Sequence, residues 1–226
     1  MLIILGIAVG ISVQIFVGLL IDSLQISLVD STVGNSAHIT IASNETTGVV
    51  ENYQDLSEEV AQVNGVKFVV PSIDRRPNIQ NFSVTGTQVI LKGWDLDNAN
   101  DIYNIYNDKF KGEKPTEINE TLIGTKLAED YTIAIGDVLN FSSGFNYFTL
   151  TVVGVFDLGV ASLNENWVLT NNKTINDIYS PGDNATSINI QVDNVFQADV
   201  IAQNIREEVN IDQEDVEIVD WKQQNA

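Results

Sequence analysis

Hydrophobic positions along this chain fall into three textures. The first is a continuous apolar run from Leu2 to Ile21, with no charge between Met1 and Asp22. At ~1.5 Å per helical residue such a run is roughly 30 Å long, about the hydrocarbon thickness of a bilayer. It is apolar nearly all round, whereas a soluble core helix carries one apolar stripe. The pattern predicts a transmembrane helix over 1–21. A cleaved signal peptide and a fully buried core helix are the competing readings. A signal peptide calls for a basic start and a small-residue cleavage site. No Lys or Arg precedes Lys67, and Asp22-Ser23-Leu24-Gln25 is a poor cleavage site. Leu24, Leu28 and Val29 keep helical spacing up to Gly34-Asn35, a C-terminal stop signal. A stalk helix over 22–37 is therefore expected.

The second texture is strand–helix–strand, and it occurs twice. His38-Ile39-Thr40-Ile41-Ala42 alternates as a strand, Asn52 to Val63 is helical with acids in its first turns, and Val66 to Ile73 is β-branched. Near the other end, Ser187 to Val192 alternates. Gln197 to Val209 follows as a helix with Val200, Ile201, Ile205 and Val209 on one face, then Val216 to Val219 as a strand. Two β-α-β units are predicted.

Between them lies the third texture, mostly β. Phe82 to Val84 and Gln88 to Lys92 read as a hairpin, and Asn98 to Lys114 as a polar loop with a short helix. Leu122 to Asp130 reads as a strand end and a helical turn, and Ile135-Gly136-Asp137 as a turn feeding Val138 to Phe141. Tyr147 to Phe156 is a strand with Gly154 at a bulge, and Asn166 to Thr170 another. Trp221 sits where an aromatic residue suits a second stalk or the approach to a membrane interface.

The apolar run is not uniform. Gly6, Gly10, Gln14 and Gly18 recur every four residues, and Gly6 to Gly10 is a GxxxG. In lipid, small residues admit a second helix backbone, and a glutamine amide needs a partner. The stripe is a helix-packing candidate; the plainer reading is that glycine is common in membrane spans. The basic flank that marks a cytoplasmic end is missing at Met1, as expected if the sequence starts inside the span.

Charge narrows the function. Eleven basic against 31 acidic residues give −20, which opposes nucleic-acid binding and attraction to anionic lipid surfaces. With no cysteine and one histidine, His38, disulfides, thiolate metal sites, cysteine nucleophiles and multi-histidine sites are excluded. No GxxxxGK[ST] is present to cradle nucleotide phosphates. Asp95, Asp97 and Asp101 lack the glycine and glutamate of a calcium loop and read as a solvated acidic loop, with a loose cation site as the alternative. Ser36 and His38 lack a third group for a nucleophile–base arrangement. Trp94 and Trp167 read as packing residues. No catalytic residue, cofactor or metal ligand is expected. Asn44, Asn81, Asn119, Asn140, Asn172 and Asn184 head N-glycosylation sequons. Composition predicts about three, so the excess is mild, and the acceptors are candidates on surface loops.

Several short segments, taken in order, resemble the MacB-like periplasmic core domain, which lies between the first and second membrane helices of FtsX-type ABC transporter permeases. They are Leu5 to Ile11, Ser36 to Ile41, Leu91-Lys92-Gly93-Trp94-Asp95, Ile123 to Ala128 followed by Ile135 to Leu139, and Val152-Val153-Gly154-Val155-Phe156. The resemblance implies an α+β fold: an α/β porter-like subdomain from 38–80 and 187–220, an inserted β-rich subdomain over 81–186, and the start of a second stalk at 221–226. It implies a non-enzymatic extracytoplasmic domain, anchored in membrane lipids, that works with a cytoplasmic ATP-binding subunit and a second permease copy, like or unlike. The family's further membrane helices and ATPase are not in this sequence, so a fragment or truncated gene product is expected. A ligand-sensing ectodomain of a receptor kinase and a surface-anchored adhesive domain are the alternative functions.

Overall fold

The computed structural model describes residues 7, 10–21, 23–24, 35–44, 48–81, 86–209 and 216–224. The chain divides into two compact units, Met1–Asn35 and Ser36–Ala226. In the first, residues 10–21 are helical and exposed. Among the described residues no helix is long and apolar enough to cross a membrane. The span expected over 1–21 includes residues 1–6, 8 and 9, and most of the stalk expected over 22–37 is residues 25–34; these lie outside the described residues.

The second unit is built on a mixed sheet. Strands β1 (Ile39–Ser43), β13 (Ser187–Val192), β14 (Val216–Asp220) and β3 (Val66–Arg75) stand in the order β14-β1-β13-β3. β1 runs antiparallel to both β13 and β14, and β13 antiparallel to β3. Each predicted β-α-β unit is therefore split: its two strands are parallel, with a strand of the other unit between them. The helices Tyr53–Ala61 and Ala198–Glu208 cover one face. Ile39 faces Ile190 and Ile41 faces Ile188, so four isoleucines share that face with Val60, Ile201 and Ile205. Burying such side chains contributes about 1.5–3 kcal/mol each. The helix 198–208 turns a stripe of Ala198, Ile201, Ala202 and Ile205 inward. Val200, expected on that face, is 57% exposed. One residue is a 100° rotation, and the alanines at 198 and 202 complete the i, i+3, i+4, i+7 stripe that Ile201 and Ile205 anchor.

On the other side of β3 the sheet continues through β6 (Ile90–Trp94), β11 (Trp167–Asn171), β8 (Glu120–Gly124), β10 (Asn146–Phe156), β9 (Val138–Ser143), β4 (Asn78–Ile79) and β5 (Thr87–Gln88), with β7 (Lys111–Gly112) also on β10. β2 (Val50–Glu51) and β12 (Asn184–Ala185) pair separately. The hairpin expected from Phe82 to Lys92 is differently made. Its first arm lies outside the described residues, β5 turns back onto β4, and β6 leaves to join β3 and β11. Buried Val89 divides them, its N–H donating to Pro77 O at 3.0 Å. The shift in β10 falls between Val152 and Gly154, where the bulge was expected.

Two motif glycines are explained by close approaches. A Cβ on Gly93 would lie 2.7 Å from Ile175, on the helix Asn172–Tyr179. A Cβ on Gly124 would lie 2.1 Å from the Asn164 carbonyl oxygen. The helices Leu96–Tyr103, Ala161–Asn166 and Asn172–Tyr179 pack on this part of the sheet.

Candidate functional site

β3 belongs to both runs of the sheet. From Val66 to Ser72 it pairs with β13, and from Ile73 to Arg75 with β6. Where the strand changes partner, polar side chains gather inside an aromatic wall. Ser72 and Asp74 are two apart on β3 and share a face, as do Lys92 and Trp94 on β6. Asp74 stands directly opposite Lys92. Lys92 Nζ lies 2.6 Å from Asp74 Oδ2, and Trp94 Nε1 donates to Ser72 Oγ at 2.6 Å. The Ser72 hydroxyl donates to Asp74 Oδ1. The ammonium of Lys92 sits 4.5 Å from the Trp167 ring centre and 5.2 Å from that of Trp94. Trp94 stacks on Tyr103 at 4.7 Å, and Trp167 meets both edge-on. Ser72 and Trp94 are fully buried and Lys92 nearly so. Burial, then the neighbouring Asp74 charge, pushes the Tyr103 phenol well above its ordinary value.

The returning chain is tied to the same place. Thr186 donates its N–H to Ser72 O at 2.8 Å, and its hydroxyl accepts from the Asp74 N–H at 2.9 Å. The two passages of the chain across the seam thus lie side by side. A Ser–Lys nucleophile needs the lysine as a base on the hydroxyl. Here the Ser72 hydroxyl donates to Asp74 and Lys92 pairs with the same carboxylate between two indoles, so the arrangement ties strands together.

A second polar cluster joins the start of β1 to the end of β14. Ile39 stands opposite Asp220. Trp221 donates its N–H to His38 O at 2.9 Å and its indole N–H to Val195 O at 2.8 Å. Lys222 Nζ lies 3.1 Å from Asp199, whose carboxyl this hydrogen bond holds below its usual range. Asp220 accepts from the N–H groups of Lys222 and Gln223, starting the short helix Trp221–Gln224. His38 is buried, and its Nδ1 accepts from the Val192 N–H at 3.2 Å. That ring nitrogen is engaged by backbone, so it is not poised as a base toward Ser36.

The other residues singled out in the sequence are dispersed. Gly10, Gln14 and Gly18 are exposed on the helical residues 10–21, and among the described residues a Cβ on either glycine meets nothing within 4 Å. Gly6 lies outside the described residues. Asp95 caps the helix Leu96–Tyr103, accepting from the N–H groups of Asp97 and Asn98, and Asp97 pairs with Lys114 at 2.7 Å. Among the described residues no group of three acids or histidines is placed to hold a metal. Of the sequon asparagines, Asn44, Asn119 and Asn140 are exposed; Asn81, Asn172 and Asn184 are half-buried. Asn81 bridges to β9, donating to Val138 O and accepting from the Asn140 N–H. Ser72, Asp74, Lys92 and Thr186 carry no local signal of their own. Only the β3–β6 register, itself a product of the fold, brings them together.

Two interlocked β-α-β units with a sheet-extending insertion and a bonded pair of chain exits define an α+β domain of a known class. The chain belongs to the MacB-like periplasmic core domain family, whose model matches residues 1–208. Among solved structures it is similar to the periplasmic region of MacB from Actinobacillus actinomycetemcomitans, with a TM-score of 0.58, 12% identity, and coverage of 86% of this chain and 94% of that one. It is also similar to the extracellular domain of the noncanonic ABC-type transporter YknZ from Gram-positive bacteria, with a TM-score of 0.53, 14% identity, and coverage of 80% and 100%. At these identities the likeness is one of fold. No curated protein matches the sequence.

Proposed function

We propose that this chain is the extracytoplasmic domain, with its leading membrane helix, of an ABC-type transporter permease. It carries motion driven by ATP hydrolysis in a separate cytoplasmic subunit to export or other work outside the membrane. The domain itself catalyses nothing in this role. The observation that carries the reading is the antiparallel pairing of Ile39 with Asp220. The strand that opens the domain begins where the strand that closes it ends, at one end of the sheet. A domain inserted between two neighbouring membrane helices needs that geometry. The family match over 1–208 and the fold shared with the MacB and YknZ domains support the same assignment.

In this reading 1–21 spans the lipid, everything from about residue 22 is extracytoplasmic, and 221–226 starts a second stalk. The porter-like part is 38–80 with 187–220, and 81–186 is the β-rich insertion. The Gly6, Gly10, Gln14, Gly18 stripe packs against another membrane helix, of the same or a second permease copy. The test starts from the flanking DNA. Further hydrophobic spans downstream and an adjacent ATP-binding-subunit gene support the reading, and co-purification of that subunit with the permease follows. A histidine-kinase core downstream overturns it in favour of a sensor.

A further inference from the structure

We infer that the Lys92–Asp74 pair, with Ser72 and Trp94, is a latch on a two-strand hinge, and that it sets whether the two halves of the domain move as one body. Apart from the β2–β12 pair and the packing of Val70 against the helix Leu96–Tyr103, the described residues join the sheet run ending at β3 to the run starting at β6 by two passages of chain. One is the centre of β3 around Ser72 to Asp74, and the other is Thr186 leading into β13. They lie side by side, hydrogen-bonded through Thr186 N–H to Ser72 O and Asp74 N–H to the Thr186 hydroxyl. Two adjacent strands form an axis about which packed layers can turn, since a hinge needs only a few residues that absorb the change in backbone angle.

The side chains at this axis oppose such turning. Asp74 is on the hinge strand itself. It is gripped from the inserted half by Lys92 at 2.6 Å, and Ser72, one turn of the pleat away, by the Trp94 indole at 2.6 Å. Lys92 cannot follow the other half without leaving the Trp94 and Trp167 rings, nor Trp94 without leaving Tyr103 and Trp167. Apolar packing alone is non-directional and tolerates sliding. A buried ion pair and an indole–hydroxyl bond have one good geometry and lose their worth when displaced. The groups facing the pair differ on its two sides: the Arg75 guanidinium, from the hinge strand, donates to the Asp74 carbonyl, while the inserted half presents neutral indole faces to Lys92. The latch therefore has a single closed arrangement, and weakening it frees rotation about the Ser72–Thr186 ribbon.

The inference rests on the two-part division proposed above, but its test is independent of the transporter assignment. The chain contains no cysteine, so paired spin labels can be placed on the full chain in detergent without background. Glu58→Cys with Thr149→Cys spans the seam, and Glu58→Cys with Glu208→Cys stays on one side; all three positions are exposed. The unsubstituted latch should give a narrow distance distribution for both pairs. Lys92→Met, Asp74→Asn and Ser72→Ala should each widen the distribution across the seam, about twofold for Lys92→Met, and leave the one-sided pair unchanged. Circular dichroism selects the variants that fold, and Ser72→Ala, which removes one hydroxyl, stands in if Lys92→Met does not. Wild-type widths across the seam in the folded variants, or equal widening of both pairs, overturn the latch.

Discussion

The indole N–H of Trp94 donates to the Ser72 hydroxyl over 2.6 Å, at the point where β3 exchanges β13 for β6. Both groups are fully buried, so losing the donor leaves a hydroxyl lone pair without its partner. Trp94→Phe keeps the ring on Tyr103 and should cost about 1–3 kcal/mol. Trp94→Ala adds a cavity and should cost about 3–5 kcal/mol. Urea unfolding followed by circular dichroism measures both. Equal midpoints for Trp94→Phe and the parent would mean the bond contributes nothing.

Asp74 and Lys92 differ in how hard they are to leave unpaired. Their side chains are 22% and 9% exposed. Lys92→Ala removes the buried cation with its stem, and Asp74→Ala strands an ammonium among indoles. Breaking a buried pair costs about 3–5 kcal/mol, and the partial exposure of Asp74 sets this one at the lower end. The double Lys92→Met, Asp74→Asn chain should recover most of that loss, as read by its unfolding midpoint.

Gly93 and Gly124 should tolerate alanine unequally. The new methyl at 93 meets the side chain of Ile175 at 2.7 Å, whereas at 124 it meets the Asn164 backbone at 2.1 Å. Gly93→Ala should lose about 1–3 kcal/mol and Gly124→Ala more, because main chain must shift. A smaller loss at 124 than at 93 contradicts this ordering.

Tyr103 gives the domain an alkaline limit. Its folded-state pKa is raised by burial and by Asp74, from an ordinary value of 10.0. The proton is retained on folding where the unfolded chain gives it up. The stability is fully present below pH 10 and is lost as pH rises from there toward the folded pKa. The slope is about 1.4 kcal/mol per pH unit. Tyr103→Phe should flatten that decline while leaving the neutral-pH midpoint within about 1 kcal/mol. Unfolding curves from pH 8 to 11 measure it.

Gly10→Leu probes the proposed membrane segment. Among the described residues a Cβ at Gly10 meets nothing within 4 Å, and residues 36–226 form a compact unit of their own, so their fold should be untouched. If a second helix packs on the glycine stripe, the larger side chain should lower the ATPase activity coupled to the permease. Unchanged coupled activity removes that role from the stripe.

Long periodic stretches made much of the fold legible in the sequence. Ile39–Ser43, Tyr53–Ala61, Val66–Arg75, Asn146–Phe156 and Ser187–Val192 all fall where alternation or helical spacing put them. What escaped was set by register. The two-residue strands β2, β4, β5, β7 and β12 carry too little pattern to read, and the helix Asn172–Tyr179 runs straight on from β11. The acids at 95–101 have the polar texture of a loop, yet Asp95 caps a helix whose apolar side is Leu96, Ala99, Ile102 and Tyr103. The seam was invisible for a deeper reason. Asp74 and Lys92 are 18 residues apart, and nothing local pairs them until β6 abandons its hairpin for β3.

The pairing of Ile39 with Asp220, and of Trp221 with His38, gives the head a single doorway. A head with one doorway is a cassette. It can be lifted from one permease and spliced into another at two neighbouring seams, or permuted by bridging 36 to 222 and opening new termini at the exposed Gly144–Phe145 turn, without any strand changing its neighbours.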